Sequence, residues 1–117
     1  MVFCNVSGAT GDHPHTKARM AVYEGVHIIV GDWLSEMNIA WNAIKKSENP
    51  DLGYEEGFLT PLDKSLDDIV TNDIEVVTNA GALNTLSLTR KAEELCASRG
   101  PSHLVISAVV GGDVPEF

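Results

Sequence analysis

The residues of this chain best equipped for chemistry are three aspartates, two neighbouring histidines and four glycine-bearing turns. Asp12, Asp32 and Asp113 each end or follow an apolar run. Carboxylates gathered in one place can hold a divalent cation such as Mg²⁺, or shift one another's pKa so that one serves as acid and another as base. The plainer role of each is to cap a helix. His13 and His15 lie two apart beside Asp12. That spacing suits a metal pair or a general base, and equally two solvated loop histidines. No spacing selects a metal, and none is assigned. Ser7 lacks the G-x-S-x-G elbow of an activated nucleophile.

The glycine-bearing turns are SGATGD (7–12), GDWLSE (31–36), NAGALN (79–84) and GGDV (111–114). Glycine lets a backbone approach a ligand closely, and helix N-termini offer unpaired N–H groups. Such turns also occur where nothing binds, because Gly, Ser, Asn and Asp turn chains and cap helices. The first turn is not a Walker motif, since no lysine follows Gly11 at the required place. It carries Gly8-x-x-Gly11 rather than the full dinucleotide fingerprint, with Asp32 about twenty residues on. Nucleotide binding is therefore the weaker of the ligand readings.

What must position these turns can be read from the rest of the chain. MVFCNV (1–6) and VHIIVGD (26–32) read as strands, with a helix over 15–25 between them. A second helix is expected over 33–48, with Asp32 as a candidate cap. There Leu34, Met37, Trp41 and Ile44 recur at steps of three and four, one face of a helix. Trp33 and Trp41 read as core or interface residues. NPDLG (49–53) breaks the chain, and a third helix covers much of 54–71 with Phe58, Leu62, Leu66 and Ile69 on one stripe. Pro61 separates or kinks its first turns. IEVVTNAG (74–81) is a third strand. A fourth helix follows over 83–100, with Leu88, Ala92 and Leu95 inward and Gly100 as its stop, and 102–113 reads as a fourth strand.

Strands that alternate with helices and are apolar on both faces indicate an α/β fold: an open, mostly parallel, four-stranded, Rossmann-like sheet with helices on both faces. The whole chain, 1–117, is expected to form a single domain. The long connection between strands two and three suggests the order 2-1-3-4, with 3-2-1-4 as the alternative. In such sheets ligands bind beyond the carboxyl ends of the strands. Ser7, Gly8, Thr10, Gly11, Asn79, Gly81 and Asn84 would then line one crevice at a switch point between strands one and three.

Acids outnumber bases, for a net charge of −9, and the eight Lys and Arg residues are scattered. A nucleic-acid surface needs a basic face, so nucleic acid and anionic membrane surfaces are set aside as partners. No apolar run approaches the ~20 residues that span a bilayer. The N-terminus carries no signal-peptide pattern, and a cytoplasmic location is the default. The two cysteines, Cys4 and Cys96, fit no zinc spacing and read as buried or half-buried thiols.

The blocks SGATGD, GDWLSEMNIA, LGYEEGFL and VTNAGALN, in this order, resemble those of the acyclic terpene utilisation proteins of the AtuA type, in their N-terminal domain. Gly112-Asp113 resembles the family's closing Gly-Asp-Asp-like element. Trp33 stands where the family pattern has Tyr, and His13 where it has a basic residue. The resemblance implies catabolism of branched, terpene-derived acids whose intermediates are acyl-CoA thioesters. Carried over by position, its motif residues are Ser7, Gly8, Gly11, Asp12, Gly31, Asp32, Glu36, Asn79, Gly81, Asn84 and Asp113. Family members run longer, so a missing C-terminal segment or a homo-oligomer is expected to cover the fourth strand.

The leading expectation is a domain that binds a small acidic or acyl-CoA-type metabolite at the strand-end turns, with Asp12, Asp32 or Glu36 as acid and base. Ser7, Gly8, Thr10, Gly11, Asn79, Gly81, Asn84 and Asp113 are the ligand-binding candidates. No cofactor is assigned, and whether the protein is an enzyme stays open. The rival expectation is a shortened, non-catalytic interaction module or subunit.

Overall fold

The computed structural model describes residues 1–7, 25–100 and 103–111. Its elements are β1 (Phe3–Ser7), β2 (Ile28–Asp32), α1 (Glu36–Glu48), a 3-10 turn (Glu56–Phe58), α2 (Leu59–Thr71), β3 (Glu75–Thr78) and α3 (Thr85–Ser98). The helix expected over 15–25 lies outside the described residues, apart from Gly25, whose φ of +87° suits a helix stop. The chain divides into two compact units. One holds the three strands, the 3-10 turn and α2; the other holds α1, α3 and residues 103–111.

In the first unit the strands form one parallel sheet in the order β1-β2-β3. Phe3 pairs with Ile28 and Ser7 with Asp32 on one side of β2. Ile28 pairs with Glu75 and Gly31 with Thr78 on the other. This corrects the expected order 2-1-3: β2 is the central strand, and no switch point lies between neighbouring strands one and three. The alternative, 3-2-1, has these three strands as observed. One feature explains the correction. Ile28, Ile29 and Val30 make β2 the most continuously apolar strand, which suits the middle of a parallel sheet.

Ile29 is fully buried, and Val6, Val26 and Ile74 are buried with it. β1 and β3 are less enclosed than their sequence suggested, with Phe3 61% and Val77 53% exposed at the sheet edges. In α2, Leu62, Leu66 and Ile69 are buried along one stripe, together with Phe58 of the preceding turn. Pro61 falls in the first turn of α2, where a missing N–H removes no helical bond. Upstream of it the chain makes a separate 3-10 piece, as the proline suggested. Ser65, fully buried, donates its hydroxyl to the Pro61 carbonyl at 2.7 Å.

In the second unit, α1 is capped by Ser35, whose Oγ accepts from the Asn38 N–H at 3.1 Å. Asp32 is therefore not the cap. The face marked by Leu34, Met37, Trp41 and Ile44 is exposed, with Met37 at 70% and Trp41 at 60%. The buried positions of α1 are Asn38 and Asn42. Asn42 Nδ2 donates to the Asn38 carbonyl and to the Glu55 carboxylate. The helix is thus seated through satisfied polar groups, and its apolar stripe is left open. Lys46 Nζ donates to the Leu83 carbonyl at 2.6 Å, which ties the end of α1 to the turn before α3.

Along α3, Leu88, Ala92 and Cys96 are buried, and Leu95 is only half-buried. Burial pushes the Cys96 thiol above its ordinary pKa. Both cysteines are free, Cys4 half-buried and Cys96 buried. Gly100, at φ +117°, ends the helix as expected. Residues 103–111, most of the expected fourth strand, form no strand. Among the described residues the sheet therefore has three strands rather than four.

Candidate functional site

Three parallel strands end on the same side of a sheet, so their last residues form a rim. Here the rim of the first unit carries Ser7 at the end of β1, Asp32 at the end of β2 and Thr78-Asn79 at the end of β3. Ser7 and Asp32 are register partners. Asn79 joins the other two strand ends. Its Oδ1 accepts from the Trp33 backbone N–H at 2.7 Å, and its Nδ2 donates to Asp32 Oδ1 at 2.8 Å. Thr78 Oγ1 donates to the Gly31 carbonyl at 3.1 Å, and the Asn79 N–H reaches the same carbonyl at 3.4 Å.

These bonds do two things. They fix which way the Asn79 amide points, since its oxygen faces a donor and its nitrogen an acceptor. They also fix the Asp32 carboxylate, which is exposed, through one of its oxygens. Asn79 has a second amide hydrogen beyond the one given to Asp32, so the pair presents a carboxylate and an amide donor side by side. Such a pair can accept a proton or hydrogen bond from a ligand while donating to its carbonyl oxygen.

Gly31 makes room for the third member of the site. A Cβ at Gly31 would lie 3.0 Å from Trp33 Nε1 and 3.4 Å from Thr78 Oγ1. The indole therefore folds back over the strand end. It meets Phe58 edge to face, with centroids 5.9 Å apart and planes at 87°. The half-buried indole thus lies against Gly31, Gly57 and Phe58, and it is the Trp33 backbone N–H that reaches Asn79. Its packing on buried Phe58 agrees with its sequence reading as a core residue.

The other candidates are distributed as follows. Gly81 and Asn84 lie in the second unit, in the turn before α3. A Cβ at Gly81 would lie 2.7 Å from Thr85 Oγ1 and 2.9 Å from Thr85 Cα, so glycine there permits a tight turn against the helix start. Ala82, at φ +45°, takes a left-handed conformation in the same turn. Asn84 caps α3 by accepting from the Ser87 N–H, and its Nδ2 donates to the Pro50 carbonyl at 2.9 Å and to the Leu52 carbonyl at 2.8 Å. In this unit Asn84 is a structural tie. Asn84→Ala is expected to cost about 2 kcal/mol, the sum of a lost cap and two lost side-chain bonds, measured by urea denaturation. Glu36 is an exposed residue of the first turn of α1. Gly8, Thr10, Gly11, Asp12, His13, His15 and Asp113 lie outside the described residues.

Among the described residues no group of three or more His, Cys, Asp or Glu side chains could hold a metal ion. No helix of the described residues is long and apolar enough to cross a membrane.

Compared with known proteins, the chain matches no curated protein and no solved structure. It does match the family model described as "Acyclic terpene utilisation family protein AtuA", over residues 1–116. The rim residues Asp32 and Asn79 fall within that match, in two of the blocks that carried the resemblance. The chain belongs to the AtuA family of acyclic terpene utilisation proteins.

Proposed function

We propose that the strand-end rim of the first unit binds a branched, terpene-derived acid as its acyl-CoA thioester. One observation carries the reading: the Asn79 amide ties the Asp32 carboxylate to the Trp33 backbone N–H at the carboxyl end of the central strand. In this arrangement the indole gives the branched hydrocarbon an apolar wall. The amide donor meets the thioester carbonyl. The Asp32 carboxylate takes up or returns a proton at the carbon beside that carbonyl, the place where thioesters are acidic enough for general-base chemistry. Ser7 ends the neighbouring strand in register with Asp32.

Isothermal titration against a panel of branched acyl-CoA thioesters tests this reading. Saturable heat with at least one of them is expected, and Asp32→Asn weakens it by about tenfold or more, the usual cost of losing a charged hydrogen-bond partner. Absence of heat from every member, with protein shown to be folded by circular dichroism, overturns it.

The exposed stripe of Met37, Trp41 and Ile44 favours a second reading, an interaction module without catalysis. Under that reading Asp32→Asn leaves every interaction unchanged, whereas Trp41→Ala weakens one.

A further inference from the structure

Asn79 meets the Asp32 carboxylate through its amide nitrogen while its amide oxygen is held by the Trp33 backbone N–H at 2.7 Å. An amide turned end for end would set oxygen against the carboxylate, acceptor against acceptor, and nitrogen against the N–H, donor against donor. The place of that N–H therefore helps decide which way the amide faces. Trp33 follows β2 directly and lies in no helix or strand, so no ladder of the sheet fixes its backbone.

The indole is fixed instead, by three neighbours. A Cβ at Gly31 would lie 3.0 Å from Nε1 and 3.4 Å from Cδ1, and a Cβ at Gly57 would lie 3.6 Å from Cζ3 on the six-membered ring. Buried Phe58 meets the indole edge to face. Neither glycine has a positive φ, so at Gly31 glycine supplies room rather than backbone freedom. The indole is a rigid plate, and packed neighbours leave it little freedom to slide.

We propose that Trp33 is a positioning residue for the Asp32–Asn79 pair: its indole, seated on Gly31 and against Phe58, sets the place of its own backbone N–H, and through that N–H the direction of the Asn79 amide. Gly31 is the seat. The consequence for binding rests on the reading of the rim as an acyl-CoA thioester site, whereas the positioning is a property of the free protein.

The Asn79 side-chain amide, assigned in ¹H–¹⁵N spectra of the free protein, reads the positioning without any ligand. Gly31→Ala keeps every hydrogen-bonding group of the rim and makes the indole give by a few tenths of an ångström. Both Asn79 amide protons then move toward the positions of an exposed asparagine. Thr78 Oγ1 lies 3.4 Å from the same Cβ, and a second substitution separates that route from the one through the indole. Trp33→Leu keeps apolar volume, but its branched end can turn away from a new methyl group. Alone it moves the Asn79 signals, and Trp33→Phe moves them less. In the Trp33→Leu background Gly31→Ala adds nothing, the non-additivity of residues that act through one another. Gly31→Ala retains the indole, so it tests the proposal whether or not Trp33→Leu folds. Asn79 signals unmoved by Gly31→Ala overturn the proposal. An equal shift by Gly31→Ala in both backgrounds also overturns it, because the effect then runs through Thr78.

Isothermal titration with a branched acyl-CoA thioester that the native protein binds reads the consequence. Gly31→Ala raises the Kd several-fold, because a site set loosely by its supports binds less well. Asn79 signals that move while the Kd stays unchanged overturn the claim that the positioning serves binding. A native protein that binds no thioester, with Asn79 still answering to Gly31→Ala, supports the positioning and overturns only the binding reading.

Discussion

Replacing Ile29 with alanine is expected to destabilise the protein by roughly 2–5 kcal/mol, the range for truncating a large aliphatic side chain in a packed core. Ile29 is fully buried at the centre of β2, and β2 is the strand that both neighbours pair with. The truncation leaves a cavity there, and the strands on either side are held in register and cannot close over it. Val6, buried on β1, faces the same change at smaller scale. Urea denaturation measures the effect as a fall in midpoint with an unchanged slope. Ile28, half-buried one residue earlier, provides the comparison: Ile28→Ala costs clearly less. Equal costs at the two positions would mean that β2 is not the middle of a packed sheet.

The second large effect falls on binding and leaves stability almost untouched. Asp32 is exposed, so Asp32→Asn changes the unfolding free energy by less than about 1 kcal/mol. It removes the carboxylate proposed to meet the ligand. Asn79→Asp is the more informative partner. It replaces the amide that donates to Asp32 Oδ1 at 2.8 Å with a second carboxylate. Two carboxylates at that distance cannot both ionise readily, so the pair takes up a proton at a higher pH than either carboxylate alone. Binding that depends on an ionised Asp32 then falls in Asn79→Asp at a pH where the native protein still binds. A pH series of titrations on the two proteins reads this as a displaced lower limb in the variant.

The two effects separate cleanly because the sheet and its rim answer to different residues, and the same division governs what could be read from the sequence. β2 is legible in VHIIVGD because a run of β-branched residues has few other homes. The stripe Phe58, Leu62, Leu66 and Ile69 is legible because apolar periodicity alone defines it, and all four are buried. Asp32 and Asn79 are legible as rim residues once the strands are taken as parallel, since parallel strands must end together.

The strand order was hidden because it is decided by pairing between residues distant in sequence. The seat of α1 was hidden for another reason. Asn38 and Asn42 are buried because the backbone of Asn38 and the carboxylate of Glu55 satisfy the Asn42 amide, and no hydrophobic pattern announces that arrangement. Residues 103–111 show the opposite failure. Their composition is that of a strand, but β-propensity is decided by the neighbours a segment packs against, which composition does not give.

The claim on which the functional reading depends is that Asp32, Asn79 and Trp33 together receive the ligand. Its most direct test is a titration of assigned ¹H–¹⁵N spectra with a branched acyl-CoA thioester that binds. The Asn79 side-chain amide and the Trp33 indole are expected to shift in step with saturation, and in Asp32→Asn to shift only at ligand concentrations about tenfold or more higher. Saturable binding that moves neither signal would place the ligand elsewhere on the protein and contradict the assignment.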